Sequence, residues 1–155
     1  MSDALTFHMG KFAAVLPADR LYARNHMWAQ ETAPGLFRFG FSTYAIRLMQ
    51  DVYFLEWSVD AGDAVRQSQE IGHIETSKAE SDLFAPLAGT LVRFNEALLN
   101  DPSGINVDGH GAGWLFEIAG GDPTPLMTVE GYHQFLSDNW EKTQRMIKGK
   151  INEDS

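Results

Sequence analysis

From Leu21 onward, short runs of β-branched and aromatic residues are cut every few positions by Gly, Pro and Asp. This rhythm constrains the fold more than any other feature, because it leaves room for strands and turns but not for long helices. "HMWAQE" and "GLFRFGFS" flank Thr32-Ala33-Pro34-Gly35, which reads as a hairpin connection. "DVYFLEWSV" reads as a strand ended by "DAGDAV", where Gly62 is available for a positive φ. "QEIGHIET" leads into a turn at Lys78, and "AESDLFAP" leads away from it until Pro86 closes the run. "LAGTLVRF", with Gly89 near its start, and "GWLFEI" complete a mainly β architecture.

Three segments depart from that period. In "TYAIRLMQD" Ala45, Leu48 and Met49 recur at helical spacing behind Ser42 or Thr43 as cap, so a short internal helix is expected. After Gly120-Gly121-Asp122-Pro123, residues Tyr132, Phe135, Leu136, Trp140, Thr143 and Ile147 form the stripe of an amphipathic C-terminal helix packed on the domain. "NEALLNDPSGIN" predicts a helical turn with Asp101 as cap and Pro102 at the first helical position. Met1 to Asp19 carries no clear period and reads as an extension over the domain, and Asn152 to Ser155 as a frayed polar tail. The expected division is an extension over 1–20, a main domain over 21–120 and a helical segment over 121–150.

Charge and composition exclude several functions. With 12 Lys and Arg against 21 Asp and Glu the net charge is -9, which argues against nucleic acid and anionic membrane as partners. No apolar run reaches membrane-spanning length and no signal pattern opens the chain, so a cytoplasmic monomer is expected. The absence of cysteine removes disulfides, thiolate metal sites and thiol nucleophiles. The five histidines show no metal-ligand spacing, so no metal site is expected. "GHGAG" lacks the ending of a phosphate-binding loop and opens a strand, so a tight turn is its better account. The carboxylates Glu75, Glu80 and Asp82 are neighbours along one run, which does not place two acids across a hydrolytic site.

Lys78 is the exception to the bland readings. Its neighbours Glu75, Thr76, Ser77, Ala79, Glu80, Ser81 and Asp82 are small or polar. A lysine used as a base or Schiff-base nucleophile needs apolar burial or a second cation beside it, and neither is present. Catalysis by this amine is therefore a poor reading, whereas modification by another enzyme at an exposed hairpin tip is chemically open.

The wider text carries a resemblance. "GDAVRQSQEIGHIETSKAESDLFAPLAGTL" resembles a lipoyl-domain motif: Gly-Asp, a strand, Glu-Thr-x-Lys-Ala at a turn, then Ala-Pro-x-x-Gly, with Gly62 and Gly89 as paired structural turn glycines. Ser77 and Ala79 beside the lysine are similar to lipoate carriers rather than biotin carriers, which have methionines there. "HMWA", "FGFSTYA", "FNEALLNDPSGIN" and "GAGWLFEI" resemble the glycine cleavage H-protein family, from Leu21 to about Trp140. That resemblance implies a barrel-sandwich hybrid of two antiparallel sheets, with lipoate amide-linked to Lys78 as a swinging arm on a carrier that performs no bond chemistry itself. Glu75, Thr76, Ser77, Ala79 and Asp82 are implied as turn-recognition and arm-cleft residues, with His26 and Met27 in the cleft. Lipoate ligase or lipoyl transferase and dihydrolipoyl dehydrogenase are the implied partners, joined by enzymes of one of two pathways.

One departure bears on the pathway. In the family the tryptophan matching Trp28 usually follows His-Glu, whereas here it follows His26-Met27; Asp82 keeps the other acidic position. A thioether in place of a carboxylate removes an acceptor for an amine and softens the pocket. The pattern resembles the H-like lipoate-binding proteins of bacterial sulfur oxidation, with sulfur-transfer and heterodisulfide-reductase-like partners, and that cargo is the expectation. The alternatives are aminomethyl cargo handled by glycine decarboxylase and aminomethyltransferase, and a non-lipoylated interaction protein of the same fold.

Overall fold

The computed structural model describes residues 4–78 and 80–154, with side chains as far as Arg145. Ala79, the last residue expected in the lysine turn, and Ile147, the last of the helical stripe, lie outside the described residues or side chains. The chain opens with a hairpin of β1 (Leu5–Met9) and β2 (Phe12–Leu16). A six-stranded antiparallel sheet follows, in the order β3 (Leu21–Tyr22), β4 (Met27–Ala33), β5 (Leu36–Phe41), β11 (Phe116–Ala119), β10 (Gly89–Phe94) and β7 (Ala64–Val65). A three-stranded antiparallel sheet takes the order β6 (Val52–Trp57), β8 (Glu70–Thr76) and β9 (Glu80–Phe84).

One core joins the two larger sheets: Met27, Phe39, Leu91 and Phe116 from the first pack with Ile71, Ile74 and Leu83 from the second. The architecture is mainly β, as the turn rhythm predicts, and its two packed sheets are what the resemblance implies, with helices added where the period changes. The helix α1 (Thr43–Met49) is capped by Ser42, whose Oγ accepts the Ala45 N–H at 3.2 Å. The segment read as one turn capped by Asp101 instead holds α2 (Glu96–Asn100) and α3 (Gly104–Val107). Asn95 caps α2 because its Oδ1 accepts the Ala97 N–H, while its Nδ2 donates to the carbonyls of Ala112 and Trp114.

The N-terminal segment read as lacking a period is a hairpin with one apolar face. Phe7, Met9, Ala14 and Leu16 alternate inward and are buried. They pack in a second cluster with Trp28, Tyr44 and the first turns of α4 (Val129–Asp154), from which Tyr132 and Leu136 are buried. The helix continues through Asp154, so the polar tail expected to fray is helical as far as it is described.

Candidate functional site

The β8–β9 hairpin carries Lys78 at its tip. Ile71, Ile74 and Thr76 face the core, while Ser77 and Lys78 are exposed between the strands. Among the described residues two backbone N–H groups hold the tip: that of Lys78 donates to the Thr76 side-chain Oγ1 at 3.2 Å, and that of Ser77 donates to the Asp51 carbonyl at 2.9 Å. The second bond ties the turn to the chain just after α1. Among the described residues no ion pair engages the Lys78 ammonium.

Beside the hairpin, β9, α1 and the β4–β5 hairpin enclose a cleft of about 250 Å³. Its walls are mostly apolar (Met27, Phe41, Leu48, Met49, Ile74 and Leu83), with Asn25, His26, Ser81 and Asp82 as polar members. The structure thus brings His26, Met27 and Asp82 together from chain positions far apart. Glu75 and Thr76 shape the hairpin but do not line the cleft; Glu75 stands opposite Glu80 in the β8–β9 register. Gly62 and Gly89 lie away from it at the β7–β10 pairing: Gly62 has φ 95°, and a Cβ on Gly89 would approach the Ala119 carbonyl to 2.7 Å.

The exposed face of the hairpin is acidic and has an ordered register. Asp82 Oδ1 lies 3.3 Å from His73 Nδ1, and of the two Asp82 lines the cleft. A hydrogen bond from Glu70 to Asp82, together with repulsion from that carboxylate, holds the Glu70 carboxyl above its ordinary value. Sequence spacing offers no metal pattern, yet pairing brings ligand atoms of His73, Glu75 and Glu80 within 4.8 Å of one another. Only cross-strand register could have revealed that grouping.

His26 is the most constrained residue of the cleft. Its φ of 71° lies in the left-handed region, where a residue without glycine's freedom persists only under strong local constraint. Its N–H donates to the Ala23 carbonyl, its own carbonyl accepts from Ser42, and Nδ1 lies 2.9 Å from the Tyr132 hydroxyl. Burial lowers the imidazole pKa to about 4, so the ring is neutral near pH 7. Sequence reasoning reached His26 but missed Tyr132 and Ser42, which appear there only as a helical-stripe member and a cap.

Comparison with known proteins agrees with this geometry. The family model described as "Glycine cleavage H-protein" matches residues 20–139. The chain belongs to the glycine cleavage H-protein family. The glycine cleavage system H protein of Alteromonas mediterranea is 37% identical over 126 residues, covering 79% of this chain and 97% of that protein. That of Idiomarina loihiensis is 40% identical over 111 residues, covering 72% and 85%. Among solved structures, a glycine cleavage system H protein from Mycobacterium marinum superposes with a TM-score of 0.67 at 31% identity, covering 80% of this chain and 98% of that one. Members of this family are carriers of covalent lipoate rather than enzymes, and the barrel-sandwich fold expected from the sequence is the fold found. Sulfur-oxidation cargo, expected from Met27, finds no support in these matches, which fit the glycine-cleavage alternative. Among the described residues no helix is long and apolar enough to cross a membrane.

Proposed function

We propose that the chain is a lipoyl carrier of glycine cleavage, with lipoate amide-linked to Lys78 Nζ. The observation that carries this reading is an exposed lysine, in no ion pair among the described residues, on a hairpin tip whose backbone is tied to the chain leaving α1, with an apolar cleft beside the hairpin. The residues fit the group: the amine is open to a modifying enzyme, and the cleft offers Met27, Met49, Leu48 and Leu83 to an aliphatic chain. When bound, lipoate supplies a disulfide that can be opened to hold a one-carbon amine.

The protein's own residues do the rest. The bonds at Ser77 and Lys78 present one side chain at a fixed place, so a tethered group reaches each partner at high effective concentration. Glu75, Thr76, Ser77 and Ala79 are the residues flanking Lys78 in the sequence that a lipoate ligase or transferase would read. The apolar walls exclude water from whatever lies in the cleft, and Asp82 supplies an acceptor at its rim. Met27 removes one further acceptor without removing that one. In this reading residues 21–120 are the carrier domain, flanked by 1–20 and 121–150, and the protein works in the cytoplasm. Its partners are glycine decarboxylase, aminomethyltransferase and dihydrolipoyl dehydrogenase, and it is a substrate of each rather than an enzyme.

The test is glycine-dependent exchange of labelled bicarbonate by glycine decarboxylase with the lipoylated chain as the only carrier. Exchange is expected with the modified protein and absent with Lys78→Arg. If lipoylated protein supported no exchange while a reference carrier did, glycine cargo would be wrong. Turnover of the same protein by a heterodisulfide-reductase-like complex would restore the sulfur reading.

A further inference from the structure

His26 lines the cleft and is contacted from the C-terminal helix by Tyr132 and Phe135. The Tyr132 hydroxyl lies 2.9 Å from His26 Nδ1 and 2.9 Å from Ser42 Oγ. Ser42 is fully buried, and its Oγ already accepts the Ala45 N–H. Its hydroxyl hydrogen needs an acceptor of its own, because a buried donor without one is destabilising. Among the described contacts the Tyr132 oxygen is the partner in reach. Once that oxygen accepts from Ser42, the Tyr132 hydrogen is directed to His26 Nδ1. A neutral imidazole that accepts at Nδ1 carries its hydrogen on Nε2.

Nε2 sits across the ring from Tyr132. It has no hydrogen-bond partner among the described residues, and it is not among the buried unpartnered atoms, whereas His26 itself lines the cleft. The ring is held in place by Tyr44 at 4.9 Å and Phe135 at 5.9 Å, and Tyr132 is stacked on Tyr22 at 4.6 Å. We propose that Tyr132 is a positioning residue that fixes His26 as the Nε2–H tautomer, so that the cleft presents one oriented, uncharged donor to an acceptor atom of the bound arm. Burial supports the assignment from a second direction: it keeps the imidazole neutral and the Tyr132 phenol protonated.

The consequence is a division of tasks within the cleft. The Asp82 carboxylate suits a cationic amine, whereas an N–H donor does not, so His26 addresses the arm rather than an ammonium on it. The C-terminal helix thereby becomes part of the site through Tyr132 instead of only covering the second core cluster. The part concerning the arm rests on the lipoyl reading; the tautomer does not.

The experiment is ¹⁵N NMR of the imidazole nitrogens in the full chain at neutral pH. The unmodified chain is expected to show His26 with Nε2 protonated and Nδ1 unprotonated and hydrogen-bonded. In Tyr132→Phe, which keeps the ring stacked on Tyr22, Nδ1 is expected to lose the hydrogen-bonded shift and the Nδ1–H form to become populated. A protonated Nδ1 in the wild type, which needs no variant to observe, would overturn the proposal. So would unchanged His26 signals in a folded Tyr132→Phe. With lipoate on Lys78 verified by intact mass, the Nε2–H signal is expected to move, either in the disulfide form or after glycine-dependent loading. If it moves in neither, the donor does not serve the arm; an intact mass without lipoate would instead indict the carrier reading.

Discussion

Placing a carboxylate back at position 27 tests what the cleft wall is made of. Met27 is 1% exposed and belongs to the main core as well as to the cleft, where it packs in the company of Phe41, Ile74 and Leu83. Met27→Glu removes a buried thioether side chain whose burial stabilises by about 1.5–3 kcal/mol. It also asks an ionised carboxylate to sit between apolar walls. If burial raises its pKa by about two units, the ionised state is disfavoured by a further 2.7 kcal/mol or so. The raised folded-state pKa means the penalty is complete above that pKa and shrinks as pH falls toward the unfolded value. We expect the variant to lose about 4–6 kcal/mol at pH 7 and to regain about 1.5 kcal/mol of that difference from wild type by pH 5. Urea unfolding at the two pH values, with m checked for constancy, reads both numbers. A variant as stable as wild type at pH 7 would refute the reasoning, because it would show that position 27 reaches water and that Met27 is a choice about cargo rather than packing.

Two further outcomes follow from the same contacts. Gly40→Ala would put a Cβ 2.5 Å from Cε2 and Cζ2 of Trp28, whose indole N–H donates to the Gly109 carbonyl and whose ring lies under Arg20. The overpacking and strained indole bond should cost about 2–4 kcal/mol in urea unfolding, and a change below about 0.5 kcal/mol would contradict the packing described. Burial lowers the pKa of both His26 and His110 to about 4, below their unfolded value, so the unfolded chain takes up protons that the folded chain refuses. Stability should therefore fall as pH drops from about 6.5 toward 4, by about 1.4 kcal/mol per pH unit for each histidine. His110→Gln should flatten that slope, and an unaltered slope in the variant would contradict the assignment.

Features written in local sequence were legible in advance. The β4–β5 hairpin, the α1 cap at Ser42 and the exposed turn at Lys78 each depend on residues within a few positions of one another. The N-terminal hairpin was equally local, since Leu5, Phe7 and Met9 alternate as Phe12, Ala14 and Leu16 do; short alternations are easily lost when the flanks are irregular. The cleft was legible only through resemblance, because Met27, Met49 and Leu83 meet by sheet packing and share no sequence period. Tyr132 shows the same limit. Helical spacing marks it as buried, but nothing in spacing says that its hydroxyl ends on a histidine more than a hundred positions away. The sulfur expectation rested on one residue, and its burial explains the difficulty: a methionine in a core is explained by packing before it is explained by cargo.

The central claim is the modification of Lys78, and peptide-level mass spectrometry of protein made in cells supplied with lipoate and a competent ligase tests it most directly. A single lipoyl group on the peptide containing Lys78, absent from Lys78→Arg, is the predicted result. An unmodified Lys78 beside a fully lipoylated reference domain in the same cells, or lipoate on a different lysine, would contradict the account.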